Sequence, residues 1–167
     1  MMAQSQDTAC PRRTGRVEAA SDASCRTQSN NALGEALVTD ILVVEDEPAI
    51  LESLEFILSR CGWKVDVARD GEEALAAVYQ YRPRMVLLDL MLPRMSGFDV
   101  LKALRADAAL RSIAVLVLTA RGQQRDRRTA MDLNADGFIM KPFANEDVVA
   151  AVRKLLDDHE RLALRAE

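Results

Sequence analysis

A chain of 167 residues with an apolar fraction of 49% suits one globular domain of ordinary size plus some excess. Its formal net charge of -4 gives no reason to expect nucleic-acid binding by the chain as a whole. No apolar run approaches the roughly 18 residues of a membrane helix, and Met1 to Gln6 lack a signal peptide's apolar core, so the protein is expected in the cytoplasm without a membrane partner.

Residues 1–38 are rich in Ser, Thr, Gln, Asn, Ala and Arg and show no sustained hydrophobic period, so a disordered extension is expected there. Cys10 and Cys25 fall within it. With Cys61 they make no zinc-like or CxxC spacing, and a disulfide framework is not expected. Order is expected from near Val38, with a first strand through Ile41–Val44 that ends at Glu45-Asp46.

Pro48 suits the first turn of the helix that follows, and Asp46 suits its cap. Ile50, Leu51, Leu54, Ile57, Leu58 and Cys61 share one face at helical spacing, so Cys61 reads as a small buried hydrophobe closing that helix. Gly62 ends it. Lys64–Ala68 alternates polar and apolar residues, as a half-exposed edge strand does. Asp70-Gly71 turns into a second helix with Ala74, Leu75, Val78 and Tyr81 inward, and Pro83 breaks it before a third strand, Met85–Leu88. A loop from Leu90 to Gly97 leads to a third helix buried through Phe98, Leu101 and Leu104. The fourth strand, Ile113–Leu118, delivers Thr119-Ala120. The segment Gly122–Asn134 has little to bury before Ala130, Met131 and Leu133, so this fourth helix should be the most weakly anchored. A fifth strand, Gly137–Met140, ends at Lys141-Pro142-Phe143. A last helix buries Val148, Val149, Val152, Leu155 and Leu156, and residues 159–167 form a short tail or a helix extension.

Five strands alternating with five helices predict an α/β fold, a doubly wound parallel sheet covered on both faces. The fully apolar strands belong in its middle. In such a sheet the residues just past the strand ends share one crevice, the usual ligand site. Glu45, Asp46, Asp89, Thr119 and Lys141 each follow a short apolar run, and they would meet there.

Three carboxylates in a partly buried crevice repel one another, and a divalent cation relieves this. Hard carboxylate ligands without His or Cys favour magnesium or manganese, with Asp46 and Asp89 as direct ligands and Glu45 acting largely through water. Lys141 and Thr119 add a cationic and a neutral donor. Together the set suits phosphoryl transfer, with Asp89 as the nucleophile that carries the group covalently. Each residue alone has a bland reading: a helix cap, a turn, a solvated lysine. Their recurrence at successive strand ends is what argues against coincidence.

Val44-Glu45-Asp46-Glu47, Leu88-Asp89-Leu90-Met91-Leu92-Pro93, Leu118-Thr119-Ala120 and Gly137-Phe138-Ile139-Met140-Lys141-Pro142-Phe143 closely resemble the receiver domains of two-component response regulators. The resemblance covers about residues 39–158. It implies a flavodoxin-like five-stranded sheet of order 2-1-3-4-5, with a histidine kinase or a histidine phosphotransfer protein as phosphoryl donor. By the same resemblance Asp89 is the phosphoacceptor, Thr119 and Lys141 hold the phosphoryl oxygens, and the Met91 main-chain carbonyl joins Glu45, Asp46 and Asp89 in metal binding. The Lys141-Pro142 bond would be cis.

The resemblance further implies a switch. On phosphorylation the Thr119 hydroxyl moves toward the new anion and the Phe138 ring swings into the vacated space, which changes the surface of the fourth helix, fifth strand and fifth helix. Phe138 stands where a tyrosine is common, so hydrophobic fit replaces a ring hydroxyl's hydrogen bond. Met91 and Arg121 occupy positions that in the family tune the lifetime of the acyl phosphate.

About ten residues follow the receiver, too few for a helix-turn-helix domain, so a stand-alone receiver that signals by protein contact is expected, with a phosphorylation-dependent homodimer as one form of that contact. Arg125, Arg127 and Arg128 read as a solvated face, with docking of an acidic partner as the alternative. Beyond its own phosphorylation and dephosphorylation no enzyme activity is expected. Two other readings compete. A magnesium-dependent phosphatase of the haloacid-dehalogenase type also uses an aspartyl nucleophile, but it wants a second acid two residues on, where Met91 stands. A phosphorylation-independent interaction module would not need the acidic pair, Asp89 and Lys141.

Overall fold

In the computed structural model, residues 39–120 and 124–166 are described. They form five strands and five helices in strict alternation: β1 (Ile41–Val44), α1 (Pro48–Arg60), β2 (Val65–Ala68), α2 (Gly71–Tyr81), β3 (Met85–Asp89), α3 (Gly97–Ala106), β4 (Ala114–Ala120), α4 (Gln124–Asp132), β5 (Gly137–Lys141) and α5 (Asn145–Ala166). All pairings are parallel and the strand order is β2-β1-β3-β4-β5. This is the doubly wound α/β sheet expected from the sequence. The extension assigned to residues 1–38, with Cys10 and Cys25, lies outside the described residues, as does Arg121.

Two apolar layers follow from the pleat, because successive side chains along a strand point to opposite faces. Leu42, Val44, Val86, Leu88, Val115 and Val117 face one layer, which α2, α3 and Ala130 of α4 close. Ile41, Val43, Met85, Leu87, Leu116 and Leu118 face the other, which Leu51, Leu54 and Leu58 of α1 and Val148, Val152 and Leu156 of α5 close. β1 and β3 are buried along their whole length, as central parallel strands must be. β2 is a half-exposed edge, as its alternation indicates.

Four local expectations need correction. The N-cap of α1 is Glu47, not Asp46, and it makes no side-chain capping bond; Pro48 at the first turn needs no donor there. Cys61 is exposed, because α1 stops at Arg60 and Cys61 sits in the exit turn to Gly62, whose φ of +93° only glycine adopts freely. Met131 stays 55% exposed, so α4 is held by Ala130 with Leu133 alone from its apolar set. β5 is as apolar as the central strands, which by pattern alone belong in the middle, yet it forms the other edge of the sheet, as the order 2-1-3-4-5 requires, and Met140 is left 46% exposed. Val100, not singled out by the periodicity, is buried in α3 beside Leu101 and Leu104, while Phe98 is half-buried.

α5 extends as a helix from Asn145 through Ala166. Arg84, just before β3, pairs with Glu160 of this extension and with Asp40, at 3.4 Å, ahead of β1.

Candidate functional site

The parallel register places the chemistry-bearing residues side by side. Val44 lies beside Leu88, so Glu45 and Asp89 leave neighbouring strands at the same level. Ala120 lies beside Lys141 one strand further along. Glu45, Asp89 and Lys141 continue the alternation of Val43, Leu87 and Ile139, so all three share the face covered by α1 and α5. Thr119 and Phe138 have the opposite phase. They continue the alternation of Val117, which Phe138 faces across β4 and β5, on the side covered by α2, α3 and α4.

Ligand atoms of Glu45, Asp46 and Asp89 lie within 4.8 Å of one another. Glu45 and Asp89 are buried, at 1% and 5% exposure, whereas Asp46 is exposed. Lys141 ties the two buried carboxylates together. Its ammonium donates to Glu45 Oε2 at 2.7 Å and to Asp89 Oδ2. The other oxygen of Asp89, Oδ1, accepts from the main-chain N–H of Met91 at 2.9 Å, and Glu45 Oε1 accepts from that of Glu47 at 3.3 Å. The Thr119 hydroxyl, 3% exposed, makes only a long bond, donating to the Ala120 carbonyl at 3.5 Å. The Lys141-Pro142 peptide is cis.

Three carboxylates against one ammonium leave the cluster with excess negative charge. Burial raises the Glu45 pKa above 4.5, opposed by the hydrogen bond from Lys141 and reinforced by the charge of Asp89. Burial works to lower the Lys141 pKa, but its hydrogen bonds to Asp89 and Glu45 prevail and hold it above 10.5. Lys141 is therefore a cation at any ordinary pH. A cluster of hard oxygen donors with one solvent-open member fits a divalent cation that keeps part of its water.

The backbone around Asp89 is also shaped by residues to which the sequence assigned no part in the site. Gly97 opens α3 directly beneath the strand end: a Cβ there would stand 2.1 Å from the Asp89 carbonyl oxygen and 2.7 Å from Leu90 Cα. Its N–H donates to the Leu90 carbonyl at 3.1 Å. Asp70 caps α2, its Oδ1 accepting from the N–H groups of Glu72 and Glu73 at 2.9 Å each, and its Oδ2 takes the guanidinium of Arg94. Arg94 belongs to the same loop as Met91 and has a φ of +64°. A glycine after a capping serine was the available signal for Gly97; for Arg94 there was none.

Sheet, crevice and acidic cluster together define a protein of the flavodoxin-like class with an aspartate-centred site at the strand ends. The family model described as the response regulator receiver domain matches residues 41–153, and the chain belongs to that family, the receivers of two-component signal transduction. The chain is 39% identical over 127 residues to the DNA-binding dual master transcriptional regulator RpaA of Synechocystis sp., covering 76% of this chain and 53% of that protein. It is 42% identical over 120 residues to the DNA-binding response regulator MtrA of Mycolicibacterium smegmatis, covering 72% and 51%. It therefore spans about half the length of these relatives. Among solved structures, a CheY-like receiver domain protein from Methanospirillum hungatei superposes with a TM-score of 0.69 at 27% identity, over 74% of this chain and 98% of that one. The receiver domain of NtrX from Brucella abortus gives a TM-score of 0.67 at 31% identity, over 71% and 98%. Among the described residues no helix is long and apolar enough to cross a membrane.

Proposed function

We propose that Asp89 is the phosphoacceptor of this receiver and that a histidine kinase or a histidine phosphotransfer protein is its donor. The observation that carries this is the state of the Asp89 carboxylate: buried, oriented by Lys141 on one oxygen and the Met91 N–H on the other, and beside two further acids. A carboxylate oxygen of Asp89 attacks the phosphorus of the donor's phosphohistidine. A P–O bond forms, the P–N bond breaks, and the imidazole nitrogen leaves with the electron pair and takes up a proton. Hydrolysis reverses the loading: water attacks phosphorus, the acyl P–O bond breaks and the carboxylate returns. The chain's catalysis is confined to these two steps.

Lys141 is already a cation within reach of Asp89, so it is placed to take up charge on the incoming phosphoryl oxygens. The buried Thr119 hydroxyl is held only by a long bond to Ala120, so little resists its turning toward a new anion. Glu45, Asp46, Asp89 and the Met91 main-chain carbonyl would hold magnesium or manganese, which supplies charge neutralisation at the phosphoryl oxygens when bound. Signalling then runs through protein contact at the face of α4, β5 and α5, in the cytoplasm, where Thr119 and Phe138 share a side of the sheet with α4.

The test is intact-protein mass after acetyl phosphate with magnesium. One phosphoryl group per chain is expected, absent in Asp89→Asn and absent when magnesium is chelated. Repeated release of phosphate from small monoesters, or label that survives Asp89→Asn, would overturn the proposal.

A further inference from the structure

The basic stretch of α4 contains one arginine that is not simply solvated. The guanidinium carbon of Arg127 lies 3.7 Å from the centroid of the Phe138 ring. Arg127 is exposed and Phe138 half-buried, so the guanidinium lies between the ring and water. A guanidinium over an aromatic face is attracted by the ring's quadrupole, and a planar arginine stacks there better than a compact lysine. Arg125 and Arg128, its neighbours on the same helix, are exposed as well. The stack therefore joins α4, whose apolar anchor is little more than Ala130 and Leu133, to the aromatic residue of β5 that pairs with Val117, one pleat from Thr119.

We infer that Arg127 is a positioning residue that restrains the switch, holding Phe138 in its resting place by stacking on the ring. The inference rests on the proposed function of Thr119 and Phe138. A ring that turns into space left by Thr119 goes deeper into the sheet's face and leaves the exposed guanidinium behind. Every unit of attraction in the stack then counts toward the resting arrangement and against the phosphorylated one. Since a protein whose competent arrangement is scarce reacts in proportion to that fraction, releasing the ring speeds loading of Asp89.

The experiment compares initial rates of phosphoryl incorporation from acetyl phosphate with magnesium in the full chain. Arg127→Ala is expected to react about two- to fivefold faster than the unmodified protein, the change that loss of an exposed stack of this type carries. Arg127→Lys should fall between the two, and Arg128→Ala should match the unmodified protein. In a Phe138→Ala background the Arg127→Ala effect should vanish, which a merely structural role of Arg127 would not produce. An Arg127→Ala rate equal to or below that of the unmodified protein overturns the inference, and so does an acceleration that persists without Phe138. With fluorinated phenylalanine incorporated, the resonance of Phe138 in the unphosphorylated protein should shift in Arg127→Ala and not in Arg128→Ala; an unmoved resonance also overturns it. Failure of the unmodified chain to take up any phosphate defeats the proposed function and this inference together, whereas a labelled chain indifferent to Arg127 defeats the inference alone.

Discussion

Lys141 Nζ lies 2.7 Å from Glu45 Oε2, joining the last strand of the sheet to the first across 96 residues of sequence. The same ammonium holds Asp89, so three strand ends meet at one cation. Replacing Lys141 by Met leaves two buried carboxylates without that partner. Removing one member of a buried pair costs about 3 kcal/mol, and urea unfolding of the metal-free protein should show a loss of that order. Magnesium should restore part of it, because the remaining acids then have a cation. Phosphoryl uptake on Asp89 should fall sharply even when the fold is restored.

Metal binding can be read without phosphate. A ligand that binds only the folded chain stabilises it by about 1.4 kcal/mol at ten times its dissociation constant. Magnesium should raise the melting temperature accordingly, and Asp46→Ala should abolish the rise while leaving the metal-free melting temperature nearly unchanged, since Asp46 is exposed and caps no helix. Chelation should return the unmodified protein to its metal-free value without unfolding it, because neither apolar layer depends on the acidic cluster.

Gly97 makes the coupling between α3 and the site testable. Gly97→Ala forces a methyl group against the Asp89 carbonyl and Leu90 Cα, both main chain, so the helix must move away from the strand. The expected loss is about 1–3 kcal/mol of stability. Phosphoryl uptake should fall with it, because the displaced backbone carries both Asp89 and the Met91 N–H that orients it. Thermal unfolding and acetyl phosphate labelling of the same preparation check the two effects.

Stability toward alkali should carry the mark of Tyr79. Its hydroxyl donates to Asp107 at 3.0 Å, linking α2 to the residue that caps the end of α3. That bond, with desolvation and the Asp107 charge behind it, raises the Tyr79 pKa above 10.0. A raised folded-state pKa means the contribution is complete below the unfolded value and is lost as pH rises through the folded one. Unfolding followed between neutral pH and the region above pH 10 should therefore show a decline that Tyr79→Phe makes shallower.

Much of this site could be read along the chain. Short apolar runs mark the strands of this parallel sheet, an acid, a threonine or a lysine follows four of them, and parallel strands send those ends to one edge. The division of Thr119 and Phe138 from the acids follows from the pleat: Thr119 is one residue past Leu118, and that single step moves it to the other face. Where the structure departs from that reading, a one-residue shift of a helix end decides the outcome. Asp46 is the better cap by type, but the helix begins at Pro48 and puts Glu47 at the cap without a side-chain bond, which leaves Asp46 to the acidic cluster. Cys61 has the right spacing to be buried, but the helix ends one residue earlier.

By itself the sequence determined the alternation of strands and helices, the apolar side of each, and the types of group at the strand ends, because these depend on periodicity within one element. Only the tertiary structure decided that Lys141 bridges Glu45 and Asp89, and that Arg127 covers Phe138. Those are meetings between elements. They are fixed by strand order, by register and by how each helix crosses the sheet, and none of these leaves a period in the chain.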